Sequence, residues 1–175
     1  AVTMLHNTSE LGLSDSDIRK ELLPFLAKHS DELIGAGYGD DLVPPYQAFQ
    51  KANPNSDDPY ALIAGVYARM KDWDRAAETY QQMIERFPGH APAYYGLGQI
   101  YLEAGRDAEA MRELEIAVAK RPEWEAPYAS LIPLLIADGQ GDKALALLQA
   151  AAQRDPALEW PQQLISTHNL QPSPP

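Results

Sequence analysis

The side chains of widest chemical reach in this chain are four histidines, and their spacing argues against joint work. His6, His29, His90 and His168 form no His-x3-His or His-Glu-x-x-His pair, the spacings that bring two imidazoles to one helical face around zinc. Ordinary surface histidines account for them. Gly35-Ala-Gly37-Tyr-Gly39 has the look of a phosphate loop, but a dinucleotide fingerprint needs a preceding strand and a third glycine one place further on. These glycines follow a helical pattern, so a helix terminus and a turn are expected. Asp138-Gly-Gln-Gly-Asp142 lacks the alternating oxygen ligands and closing glutamate of a calcium loop. Glu109, Glu113 and Glu115 offer paired carboxylates for acid–base work, yet Arg112 stands among them on the polar face of an amphipathic helix. That arrangement predicts solvated ion pairs. No nucleophile is partnered with a base at a recognisable spacing. The expectation is a protein that is not an enzyme, with no cofactor and no metal site.

Composition narrows the partners. The 175 residues carry 14 Lys and Arg against 25 Asp and Glu, a formal net charge of −11, with the acidity spread along the chain. A field of that sign repels phosphate backbones, so no nucleic-acid partner is expected. There are no cysteines, which removes disulfides, Cys-ligated zinc and thiol catalysis but leaves both cytoplasmic and periplasmic locations compatible. No apolar run approaches the ~20 residues that cross a bilayer, so membrane insertion is not expected. The start at Ala1 shows no charged, apolar leader and reads as a processed end or as a fragment of something longer.

The elements that must position any site follow from self-similarity. Pro54, Pro88, Pro122 and Pro156 recur at one fixed interval, and Gly37, Gly105 and Gly139 keep the same period with Lys71 in the missing place. Ala76, Ala110 and Ala144 form a third column, and Tyr60, Tyr94 and Tyr128 a fourth. Within a period the apolar spacing is helical: Tyr60, Ile63, Ala64 and Tyr67 fall at i, i+3, i+4, i+7, as do Tyr94, Leu97, Gly98 and Tyr101. The glycine suits a helix C-terminus, and the aspartate after it (Asp72, Asp107, Asp142) suits the N-cap of a second helix. Arg86, Lys120 and Arg154 shortly precede the prolines, where a cation meets the negative end of the helix dipole. The unit is a repeated helical hairpin.

On these residues the chain resembles the tetratricopeptide repeat family, whose pattern of aromatic-x2-Leu-Gly-x2-Tyr, Ala-x3-Phe and Pro has a period of about 34 residues. Tyr94, Leu97, Gly98, Tyr101, Ala110, Leu114 and Pro122 match best, and Tyr128, Leu131, Ile132, Leu135, Ala144, Leu148 and Pro156 least well. The resemblance implies an all-α, right-handed solenoid of hairpins over 57–90, 91–124 and 125–158. Residues 14–56 are expected as a helical cap or degenerate first repeat, with a Ser14-x-x-Asp17 capping box and with Pro44-Pro45 shortening its second helix. Residues 1–13 read as an arm, 159–170 as a C-terminal capping helix opened by Pro161, and 171–175 as a proline-rich tail.

In this family the first helices line a concave groove, and resemblance places Ala61, Gly65, Arg69, Tyr95, Gln99, Leu102, Glu103, Ala129 and Ile136 there. The stripe is small and apolar with one aromatic and a few polar groups, suited to a docked peptide or helix of a partner protein. Tyr95 beside Gln99 makes an aromatic anchor next to an amide. Arg69 and Glu103, one repeat apart, could instead pair with each other. Ala61 and Gly65 stand where a carboxylate clamp would need Lys and Asn, so that subfamily is not expected. Pro133, inside a first helix, is expected to bend or break it. The function implied is a protein-binding adaptor. The alternative is an accessory or oligomerisation domain of a larger, envelope-associated or catalytic protein, with self-association through the same surfaces.

Overall fold

Two backbone devices recur at every period and punctuate the chain into helices. A computed structural model describes residues 23–171; the expected arm, the Ser14–Asp17 capping box and tail residues 172–175 lie outside the described residues. The helices are α1 (Leu23–Gly35), α2 (Val43–Ala52), α3 (Asp58–Arg69), α4 (Trp73–Arg86), α5 (Ala91–Glu103), α6 (Asp107–Lys120), α7 (Glu125–Ala137), α8 (Gly141–Arg154) and α9 (Trp160–Thr167). No strand occurs among the described residues.

The first device ends the first helix of each pair. Gly37, Gly105 and Gly139 have φ of 89°, 71° and 76°, and Lys71 adopts φ 60° at the position where the glycine column is broken. Each supports the same pair of bonds, for example Gly105 N–H to the Leu102 carbonyl and Arg106 N–H to the Tyr101 carbonyl, at 3.0 and 2.8 Å. Such a cap satisfies carbonyls that would otherwise be orphaned. The second device precedes each proline. Asn53, Phe87, Arg121 and Asp155 are all extended, with φ between −128° and −141°, because proline's ring clashes with a helical predecessor. The helices therefore stop at Arg86, Lys120 and Arg154, each leaving its cation in the last turn.

Two expectations about helix ends are corrected. Asp72 does cap α4, its carboxylate accepting from the Arg75 N–H at 3.1 Å. Asp107 and Asp142 do not cap: Arg106 and Gln140 hold the N-cap positions, and the aspartates lie inside the first turn. The aspartates are spaced one place wider than the backbone period, so they slide further into the helix at each repeat. They act on the helix dipole instead. Pro133 does not break α7, which runs unbroken to Ala137. Pro133 and Ala129 are both exposed, on a side of the helix where water can replace the N–H that the Ala129 carbonyl loses.

The chain divides into two compact units, one ending at Pro88 and the other beginning at Gly89. In the first, Leu26 of α1, Tyr46 and Phe49 of α2, and Ile63 and Val66 of α3 form the core. Pro44 and Pro45 sit in the first turn of α2, where a missing N–H costs nothing, and α2 has 10 residues against 14 in α4. In the second unit Leu114, Tyr128, Leu131, Ile132, Leu135 and Leu148 form one cluster that extends to Trp160 and Leu170. The alanine column explains how the helices approach: Ala76, Ala110 and Ala144 are all 0% exposed. Helix α9 covers the end of this cluster with Trp160, whose ring lies 4.7 Å from that of Tyr128, while Leu164 and Ile165 pack at its edge.

Candidate interaction surface

The residues with catalytic potential are dispersed. His29 is 3.2 Å from Glu32 and stacks at 4.5 Å on Phe25, His90 is the N-cap of α5, and His168 is the C-cap of α9; His6 lies outside the described residues. No group of three or more His, Cys, Asp or Glu able to hold a metal occurs among the described residues. No helix among them is long and apolar enough to cross a membrane. Gly35–Gly39 and Asp138–Asp142 hold the inter-helix turns expected. The α6 carboxylates pair differently from expectation. Glu109 is gripped by Arg106, which holds its carboxyl below the usual range, and Glu115 accepts from Lys143 of α8. Arg112 acts on Glu109 through its charge, as a smaller cause than Arg106. Burial pushes the Glu113 carboxyl up, with Arg112 partly opposing.

The nine expected groove residues fall into both units. In the first, α3 presents exposed Ala61, half-buried Gly65 and exposed Arg69. Arg69 Nη1 donates to the Gly65 carbonyl at 3.4 Å, and its Nε meets Asp31 of α1 at 3.1 Å. The carboxylate that Arg69 engages is thus Asp31, which α1 delivers within the same unit.

In the second unit, Tyr95, Gln99, Leu102 and Glu103 lie along α5, and Ala129 and Ile136 along α7. Glu103 and Ala129 are exposed, and Leu102 and Ile136 are half-buried against the core. Tyr95 is not the free anchor its position on the stripe predicts. Its ring meets Trp124 at 4.9 Å in an edge-on contact of 63°, and it packs on the same core. Trp124 is the N-cap of α7, extended at φ −90°, ψ 112°. The Arg121 guanidinium lies 5.5 Å from its ring and pairs with Glu123 at 3.3 Å. Nothing in the repeat pattern marks Trp124, because its column holds His90 one period earlier. One turn from Tyr95, the Gln99 side-chain oxygen is buried and accepts no hydrogen bond among the described residues.

Comparison with known proteins accords with this geometry. The tetratricopeptide repeat family model matches residues 67–132. The matched segment, from the end of α3 into α7, is similar to tetratricopeptide repeats. Among solved structures, MamA superposes with a TM-score of 0.57 at 21% identity, over 74% of this chain and 76% of that one. A tetratricopeptide protein of Thermus thermophilus gives 0.51 at 19% identity, over 73% of this chain and 72% of its own. The TPR2B domain of yeast Sti1, in a complex with pHsp70, gives 0.53 at 24% identity, over 65% of this chain and 91% of that domain. At these identities the likeness is one of fold: all-α, of the tetratricopeptide solenoid class. No curated protein matches the chain.

Proposed function

We propose that this protein is a non-enzymatic adaptor that binds an extended segment of a partner protein on the first-helix face, with Gln99, Tyr95 and Trp124 at the centre of the second unit's part. The observation that carries the reading is the unpartnered Gln99 oxygen. A buried acceptor left without a donor costs roughly 1–3 kcal/mol, and native proteins keep few of them. A turn of the Gln99 side chain would bring this oxygen to the face, where an N–H from the backbone of a docked segment supplies the missing bond. The Tyr95–Trp124 pair beside it provides the apolar contact that Tyr and Trp give at binding centres. Within the second unit the reading takes in Leu102, Glu103, Ala129 and Ile136; in the first unit, by itself, the same reading covers Ala61, Gly65 and Arg69. The yeast Sti1 domain, a protein of this fold in complex with another protein, supports the class of function. Ala61 and Gly65 lack the polar ends of a carboxylate clamp, so recognition through a C-terminal carboxylate at these positions is not part of this reading.

The test is Gln99→Leu, after affinity capture and mass spectrometry have supplied a partner. Leucine removes the orphaned acceptor, so the urea midpoint should hold or rise. Binding measured by calorimetry should weaken about tenfold, as for loss of one well-made hydrogen bond in a dry site. Unchanged affinity would refute the role of Gln99, and a large fall in stability would make it a core residue.

A further inference from the structure

The first unit holds a cleft of about 220 Å³ between α2 and α4, with Ile63 and Tyr67 of α3 beneath it. Gln47 and Gln50 face it from α2, and Glu78 and Gln82 from α4. Its groups divide into two sets. One set is already satisfied. The Thr79 hydroxyl donates to the Arg75 carbonyl at 2.8 Å, and Arg75 gives its Nε to Asp72 at 2.6 Å and its Nη1 to Asp40 at 2.8 Å. The Arg75 guanidinium also covers the Tyr67 ring at 4.5 Å. Asp40 and Asp72 thus outweigh Arg75, the cation among the lining residues. The other set is open: the side chains of Gln47, Gln50, Gln82 and Glu78 have no hydrogen-bond or ionic partner among the described residues.

We propose that this cleft is a second binding site, separate from the first-helix face, and that it receives an arginine side chain exposed on a partner protein. The local charge is negative once Arg75 is offset by two carboxylates, and Glu78 adds to it. Three amides and one carboxylate stand on opposing helices, and with the amide oxygens turned inward they suit a ligand that donates in several directions. A guanidinium does this with five N–H groups in a rigid fork, whereas an ammonium is a compact, strongly hydrated point charge. Size agrees, since the cleft is smaller than the roughly 300–1,000 Å³ of sites for whole small molecules. It is large enough for one side chain. The chain's net charge of −11 favours the approach of a cationic segment.

The experiment is a titration of the full chain with N-acetyl-arginine amide, followed by the side-chain NH2 resonances of Gln47, Gln50 and Gln82 in ¹H–¹⁵N spectra. Saturable shifts at these groups are expected. Glu78→Gln should weaken them about tenfold, in line with loss of one charge-assisted hydrogen bond. Glu78 is exposed, so its substitution should leave the thermal midpoint in place. N-acetyl-citrulline amide, the neutral isostere, should give no saturable shift, and the lysine analogue a weaker one. Gln99→Leu should leave the titration unchanged, which separates this site from the first-helix reading. Absent or non-saturable shifts, equal shifts with citrulline or lysine, or indifference to Glu78→Gln would each overturn the proposal.

Discussion

Gly98 marks a close approach of α5 and α6. A methyl group built there would lie 2.9 Å from Leu114 Cγ, 3.0 Å from its Cδ2 and 3.5 Å from the Ala110 carbonyl oxygen. Carbon atoms in good contact sit about 3.5–4.0 Å apart, so Gly98→Ala pushes Leu114 by half an ångström or more. Leu114 is 0% exposed and has nowhere to go. Two effects oppose each other. Alanine in a helix interior gains about 1 kcal/mol over glycine, while overpacking a tight core costs about 1–3 kcal/mol. The net expectation is a loss of up to about 2 kcal/mol. Gly65→Ala provides the internal control, because the methyl group there meets only Arg69 Nη1 at 3.6 Å. It should gain the full ~1 kcal/mol. Urea denaturation reads both through the midpoint, provided the slope is unchanged. In a Leu114→Ala background the same Gly98→Ala change should become stabilising, since the obstacle is gone. The reasoning fails if Gly98→Ala stabilises the native sequence as much as Gly65→Ala does.

Three further outcomes follow from single contacts. Lys71→Gly should raise stability by about 1 kcal/mol in thermal melts, because Lys71 holds φ 60°, where a side chain clashes with its own backbone; no gain would mean that Lys71 relaxes elsewhere in solution. Glu113→Gln should raise Tm at pH 7 but not at acid pH. Burial raises the folded pKa of Glu113, so its favourable contribution is complete below the unfolded value and is lost as pH rises through the folded one. A gain that persisted when glutamate is protonated in both states would sink this explanation. Trp160→Ala should cost about 3–5 kcal/mol, since Trp160 is 8% exposed against Tyr128 and the core. Gln163→Ala on the exposed side of α9 should leave the urea midpoint alone.

The architecture was legible because it rests on residues whose effect is local. A proline extends its predecessor and a glycine opens a left-handed turn whatever surrounds them, so Pro88 and Gly105 announce their helix ends from the sequence alone. Lys71 was legible too, through the phase of its neighbours rather than its own preference. The aspartates misled because capping depends on a single position, and Asp107 and Asp142 drift away from it. Pro133 misled because the cost of a proline depends on whether the freed carbonyl reaches water, which no local pattern encodes. The site was less legible still. Tyr95 and Gln99 lie on the expected stripe, but their condition is set by contacts from elsewhere in the chain. Trp124 fills the edge of Tyr95, and the surroundings of Gln99 bury its oxygen without supplying a donor.

The same distinction bears on the first hairpin. Side-chain columns match residues 14–54 only in part, and α2 is shorter than α4 because Pro44 and Pro45 delay its start. The backbone columns match throughout. Gly37 lies one full period before Lys71 and shares its left-handed conformation, and Asn53 lies one period before Phe87 and shares its extended one. The cap bonds agree in kind: Gly37 N–H to Ile34 and Tyr38 N–H to Leu33 repeat those of Lys71 to Ala68 and Asp72 to Tyr67. A helix placed as a lid would have no reason to keep that phase. Helix α9 shows the contrast, since its left-handed residue, Asn169, falls short of a full period after Gly139. The periodic backbone therefore favours α1 and α2 as a repeat whose side chains have diverged, and α9 as a cap that covers the last hairpin without belonging to the repeats.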